Sequence, residues 1–335
     1  MKRVSQMLLR FRLNGLIVVS ILLYGATTVE AKKIRVAIPV PGKSEIVFVG
    51  ANVKGYYKDE DLEVELVVTG GRTGTLALIA GDVDFFTSVS DTFIAGLRGA
   101  PLRILFTSFY RTTLWLYSRP EIREIKDLKN KRAAVSSIGS AADVYLREVL
   151  SRHGLEGGRD VFILAMGQPA GRYAALLGGS AEAAMLADPY NLTAKEAGYR
   201  ELISFLTDET DIVHLTGGIA AREDLLRSDR VLAEKFIRAT LKGLKYVREN
   251  RTETIQMLAR TLKVKEDLAA KTYDLFRPTM TTDGTVDREL QKRSLDLRMK
   301  FAGLKDAPPL EKFFDFSLAR KVHAELDAKR WSPKP

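Results

Sequence analysis

Three short stretches place hydroxyls and glycines where a strand would end and a helix begin. In "AVSSIGSAADV" these are Ser136, Ser137, Gly139 and Ser140. A helix start offers free N–H groups and the positive end of the helix dipole, so such a junction suits an anion. Ser140 fits an ordinary N-cap of its own helix equally well. "TGGRTGTL" repeats the arrangement with Gly70, Gly71, Arg72 and Thr73, but lacks the Lys of a phosphate-binding loop. A plain strand–helix turn with Arg72 in solvent is the other reading there. "TSVSDTF" supplies Ser88 and Ser90 at a third junction, where Ser90 or Asp91 can also be a cap.

Further polar groups fall at matching places. Gln168 in "MGQPAGRY" and Asp188 and Tyr190 in "LADPYN" follow predicted strands. Asp188 either holds an ammonium group of a ligand or caps the helix that starts near Pro189. Tyr110 and Arg111 come where the chain is expected to cross between two halves; Tyr110 can stack on a ring and Arg111 can pair with an acid, or both are hinge structure. The expected ligand contacts are therefore Thr73, Ser88, Ser90, Tyr110, Arg111, Ser137, Gly139, Ser140, Gln168 and Asp188.

Enzymatic chemistry lacks its parts. His153, His214 and His323 stand singly, without metal-ligand spacing. "GGSAE" lacks the final Gly of a nucleophile elbow. The absence of cysteine excludes disulfides, thiol catalysis, thiolate metal sites and a lipid-anchored Cys. No catalytic residue, metal or cofactor is expected.

The elements that would position these groups alternate. "KKIRVAIPV" and "LEVELVVTGG" have period-two apolar faces and read as strands, while "EIVFVGANVKGYYKDEDL", "RTGTLALIAG" and "SDTFIAGLRG" read as helices. With "DVDFFTS" and "PLRILFTSF" as strands, the first part reads βαβαβαβ, which implies a mostly parallel sheet with helices on both faces. The pattern restarts from "KRAAVSS" through "SAADVYLREVLSRHG", "RDVFILAMG", "PAGRYAALLGG", "SAEAAMLA", "DPYNLTAKEAG" and "RELISFL". Two stretches even repeat one another: "LIAGDVDFFTSVSDT" and "LLGGSAEAAMLADPY" each run from apolar helix to glycine (Gly81, Gly179), acid (Asp84, Glu182) and strand. Duplicated α/β halves place their ligand edge at the carboxyl ends of the strands. After "VHLTGGIAA", a predicted strand, the chain turns helical, beginning with "DRVLAEKFIRATLKGLKYVREN" and Asp229 as its N-cap. Crossings near residues 107–112 and 209–217 make a two-strand hinge.

The 335 residues, 46% hydrophobic and 28% charged, suit a globular chain of two domains. The N-terminus reads as an export signal: Lys2, Arg3, Arg10 and Arg12 without an acid, the apolar "LNGLIVVSILLYG", then Val29 and Ala31 at small-residue positions before Lys32. An uncleaved anchor is the alternative. Cleavage after Ala31 removes four cations and Glu30, taking the formal net charge from +10 to +7. Because the cations are interleaved with acids, as in "KDEDLEVEL", nucleic acid is not an expected partner. An exported, cysteine-free chain points to a periplasm.

The pieces "VKGYYKDEDLEVELV", "LALIAGDVDF", "GAPLRIL", "IREIKDLKNKRAAVSSIGSAADVYLREVLSRHGL", "AALLGGSAEAAMLADPY" and "LAEKFIRATLKGLKYVREN" follow one another over nearly all of residues 33–250. In that order they resemble the periplasmic solute-binding proteins of ABC importers, in the group serving nitrate, sulfonates, taurine and thiamine-pyrimidine precursors. Asn130 departs from the Gly usual in "DLKGK"; Asn tolerates the left-handed conformation, so the turn survives. The resemblance implies an α/β type II periplasmic binding protein fold, two lobes on a two-strand hinge that close on a small ligand and dock on an inner-membrane permease. A cytosolic thiamine-pyrimidine synthase with this fold carries a Cys-rich motif that is missing here. The expected lobes are 32–110 with 212–335, and 111–211, preceded by the signal at 1–31. The expected protein is a monomer that delivers a small anionic or zwitterionic organic solute. An exported enzyme or sensor with the same fold is the rival, distinguished by turnover of its ligand.

Overall fold

The computed structural model describes residues 30–39, 42–111, 113–206 and 215–334. The export segment up to residue 29, Pro41, Thr112, His214 and much of the expected return crossing lie outside the described residues.

The predicted alternation forms two five-stranded sheets. The first part of the chain runs β1 (Lys32–Ile38), α1 (Ile46–Val53), β2 (Leu62–Val68), α2 (Gly71–Ala80), β3 (Phe85–Phe86), α3 (Val89–Leu97) and β4 (Leu102–Phe109). Next come β5 (Leu114–Ser118), β6 (Arg132–Val135), α4 (Ala141–Arg152), β7 (Phe162–Ala165), α5 (Pro169–Leu177), β8 (Ala183–Ala187), α6 (Tyr190–Glu196) and β9 (Arg200–Ser204). The strand β10 (Thr216–Arg222) is followed by α7 (Glu223–Ser228), α8 (Arg230–Glu249), α9 (Arg251–Leu262), α10 (Glu266–Phe276), α11 (Arg288–Ala302) and α12 (Ser317–Ala328). Strand order is β2-β1-β3-β10-β4 in one sheet and β7-β6-β8-β5-β9 in the other.

Each sheet combines parallel strands with strands of the crossings. Strand β1 pairs parallel to β3 (Val36 with Phe85), while β10 runs antiparallel to both β3 and β4. In the second sheet β6 is parallel to β7 and β8, and β5 is antiparallel to β8 and β9. The strand β5, "LWLYS", was not anticipated. It is short and follows directly on the crossing, and only Pro120 beyond its end marks it in sequence.

Most of the apolar faces bury as their spacing requires, although Val68 at the end of β2 and Val231 at the start of α8 stay exposed. On α8, Leu232, Phe236, Ile237, Leu241, Leu244 and Val247 join Ile34, Val36 and Phe85 in the first sheet's core, and Phe236 stacks on Phe85 at 4.4 Å between ring centroids. Asp229 caps α8, accepting from the Leu232 N–H at 3.0 Å. The repeated glycines Gly81 and Gly179 both adopt positive φ, 86° and 74°, where a side chain would be strained. Asn130 takes φ 61°, so the turn expected of it forms.

The helix α11 packs on both sheets' cores. Leu295 and Met299 join Val89, Phe93 and Ile104, whereas Leu297 packs against the core of the second sheet with Leu146 and Val149.

Candidate functional site

Residues after the carboxyl ends of β1 and β3 meet residues after the carboxyl end of β8. Lys43, just beyond β1, brings Nζ to 3.4 Å from Asp188 Oδ2, at the end of β8. The Asp188 side chain is 0% exposed and that of Lys43 13%. Thr113, between β4 and β5, donates its hydroxyl to Asp188 Oδ2 at 2.6 Å, while Oδ1 is buried without a partner. The Lys43 ammonium also lies 5.6 Å and 5.9 Å from the ring centroids of Phe109 and Phe276, within cation–π range. Burial pushes the Lys43 amine down and the Asp188 carboxyl up, and each opposes the other's shift by its charge. Glu45 is buried beside them, accepting from the Thr87 hydroxyl at 3.3 Å, and burial raises its carboxyl to about 8.

Asp188 therefore faces a cation from the other sheet's side rather than capping α6, whose start has no side-chain cap. The serines divide. Ser88 caps α3, accepting from the Asp91 N–H at 3.3 Å and donating to the Asp91 carboxylate at 2.5 Å. Ser140 caps α4 through the Asp143 N–H at 3.4 Å and accepts from Ser136 Oγ at 2.8 Å. The Gly139 N–H donates to Asp143 Oδ2 at 2.7 Å. Ser137 is exposed, and its backbone N–H donates to Ser140 Oγ at 3.4 Å. Thr73 and Gln168 are exposed at the starts of α2 and α5. The start of α2 is filled by the chain itself: a Cβ on Gly71 would lie 2.6 Å from the Asp91 carboxylate.

Ser90 accepts a hydrogen bond at 3.1 Å from Arg298 Nη2, a buried guanidinium on α11. Arg298 also donates to Ser294 O and Oγ at 2.8 and 2.7 Å, lies 4.8 Å over the Phe93 ring, and is hydrogen-bonded to Tyr145 of α4. Burial lowers its pKa against the opposing pull of Tyr145 and Asp91. Around it lies a cavity of about 450 Å³ between α3 and α4, lined by Ser90, Ile94, Leu97, Gly139, Val144 and Tyr145. It brings Ser90 and Gly139 together. Nearby, Lys300 of α11 pairs with Glu148 of α4 at 2.5 Å.

Tyr110 and Arg111 sit at the crossing. The Tyr110 hydroxyl donates to Pro278 O at 3.0 Å, and its ring lines a different cavity of about 400 Å³ with Arg248, Arg277 and Thr281. Arg111 donates to Leu206 O at 3.3 Å, tying the first crossing to the chain just beyond β9.

Sequence reasoning missed Lys43, Glu45, Thr87, Thr113 and Arg298. A signal for the first two exists, because "GKSE" follows a predicted strand at the ligand edge. Arg298 has none; "DRELQKRSLDLRMKFAG" reads as a solvated helix face. Among the described residues no group of acids or histidines is arranged to hold a metal ion, and no helix is long and apolar enough to cross a membrane.

Solved structures share the fold. A protein of Bordetella bronchiseptica RB50 is 18% identical, with a TM-score of 0.77 over 89% of this chain and 99% of its own. The periplasmic nitrate-binding protein NrtA from Synechocystis PCC 6803 is 15% identical, with a TM-score of 0.72 over 89% and 90%. The periplasmic aliphatic sulphonate binding protein SsuA from Escherichia coli is 19% identical, with a TM-score of 0.67 over 84% and 91%. None of the curated proteins matches the chain in sequence. Two α/β lobes joined by crossing strands make this the type II periplasmic binding protein fold. A family model described as "NMT1/THI5 like" matches residues 44–254, well over half of the chain, and the chain belongs to that family.

Proposed function

We propose that this chain is a periplasmic solute-binding protein that closes its two lobes on a small anionic or zwitterionic organic solute and delivers it to an ABC-type permease. One observation carries the reading: Lys43 from one lobe and Asp188 from the other meet in a buried, polar contact between strand ends. Two charges buried between lobes are costly unless something pairs them, which suits a cleft that opens and exchanges partners. A ligand touching both lobes favours the closed form by its differential affinity for it.

The lobes are proposed as 32–110 with 212–335, and 111–211, the chain being exported, cleaved after Ala31 and monomeric. Fold alone does not exclude an enzyme or sensor. In the site Lys43 pairs with Asp188, Thr113 donates to Asp188 and Thr87 donates to Glu45, so these polar groups engage one another, which favours binding over catalysis.

The reading is tested by thermal unfolding and calorimetry against a panel of small solutes. Saturable binding, with a micromolar constant worth about 8 kcal/mol as an ordinary outcome, and unchanged recovery of the solute support it. Turnover of the bound solute would favour the enzyme.

A further inference from the structure

Lys43 and Asp188 each hold the place that a ligand's charge would take. The Lys43 ammonium lies against a carboxylate and over two aromatic faces, Phe109 and Phe276, surroundings suited to a cation of any origin. Asp188 in turn occupies the position beside Lys43 that an anionic group would fill. It retains one buried oxygen, Oδ1, with no donor. A buried acceptor without a partner points to a group that arrives with the ligand.

We infer that the solute is a zwitterion whose anionic group takes the place of Asp188 beside Lys43 and whose ammonium takes the place of Lys43 beside Asp188. One interlobe ion pair then becomes two, and Asp188 Oδ1 gains a donor. The inference rests on the solute-binding reading above and narrows its ligand class.

Charge balance supports it. The pair is neutral as a unit, and Glu45, with its carboxyl raised to about 8, adds little negative charge at pH 7. An anion without an ammonium group would satisfy Lys43 and strand Asp188 in a buried setting. A simple amine would satisfy Asp188 and strand Lys43. Breaking one side of a buried pair is the costly case.

The test is titration calorimetry on the purified chain with length-matched probes: β-alanine and 4-aminobutyrate, propionate and butyrate, propylamine and butylamine. At least one zwitterion is expected to bind about tenfold or more tighter than its matched carboxylate and amine, a difference of about 1.4 kcal/mol. Lys43→Met shifts the preference toward the amines, and Asp188→Asn shifts it toward the carboxylates. The double variant Lys43→Met/Asp188→Asn leaves no buried charge unpaired and guards against a folding defect in either single variant; it loses the zwitterion preference. A carboxylate or amine that binds wild type as tightly as its zwitterion overturns the inference, as does a zwitterion preference that survives both single substitutions. Either result leaves the solute-binding reading standing. If no probe of any class binds, the inference fails. If mass spectrometry of the denatured protein then also releases no small molecule, the solute-binding reading fails with it.

Discussion

The Asp84 carboxylate accepts the backbone N–H of Arg35 at 2.8 Å, fastening the start of β3 to its parallel neighbour β1. Glu182 does the same for Arg132 at 2.8 Å, between β8 and β6. The two acids at matching offsets in the repeated stretches thus have one structural job, carried out once in each sheet. Asp84→Ala and Glu182→Ala should each cost about 0.5–1.5 kcal/mol, and the side-chain ion pair of Glu182 with Arg132 places Glu182→Ala toward the upper end. Because they lie in different sheets, the effects should add in urea unfolding of the double variant.

Ser137 and Ser140 separate binding from stability. Ser140 caps α4, so Ser140→Ala should lower unliganded stability by about 1 kcal/mol. Exposed Ser137 has no such role, and Ser137→Ala should leave unliganded stability nearly unchanged while weakening solute binding a few-fold or more. Equal losses of melting temperature in the two variants would contradict this division.

Glu45 gives the fold a pH signature. An unfolded Glu titrates near 4.5, whereas the buried carboxyl holds its proton to about 8. Between those values the folded state binds the extra proton, so stability should fall as pH rises from about 4.5 to about 8 and level off above. The slope is at most about 1.4 kcal/mol per pH unit. Glu45→Gln removes it, and the variant should melt above wild type at pH 8 to 9.

How far the sequence carries the reader differs between fold and site. Period-two strands, the helix–Gly–acid–strand repeat, the Asp229 cap and the left-handed turn at Asn130 are local patterns, and each forms as read. Short strands are harder. The central strand β3 keeps only Phe85 and Phe86 in the ladder, because its pairing is set by neighbours distant in sequence. In the site, Asp188 stands out beside Pro189, but its partner Lys43 follows a strand of the other sheet, and no local period links them. Arg298 is less legible still. Its burial depends on α11 packing against α3 and α4, which a charged helix does not announce.

Lys300 and Glu148 test whether α11 holds the lobes together. Burial works against the Glu148 charge, but hydrogen bonds from Lys300 and Arg152 outweigh it and hold the carboxyl below its usual 4.5. A lowered carboxyl stabilises the fold above pH about 4.5 and loses that contribution as pH falls further. Glu148→Gln should therefore destabilise by about 1–2 kcal/mol at pH 7, and the gap to wild type should close under acid. A gap that persists unchanged at pH 3 would assign the effect to packing instead.

Closure of two lobes around one solute is most directly measured by small-angle scattering across a titration with the tightest-binding solute of the panel. The radius of gyration should shrink saturably, with a midpoint matching the calorimetric constant, and Ser137→Ala should require correspondingly more solute. A radius that stays constant in wild type from empty to saturated would contradict closure around this cleft.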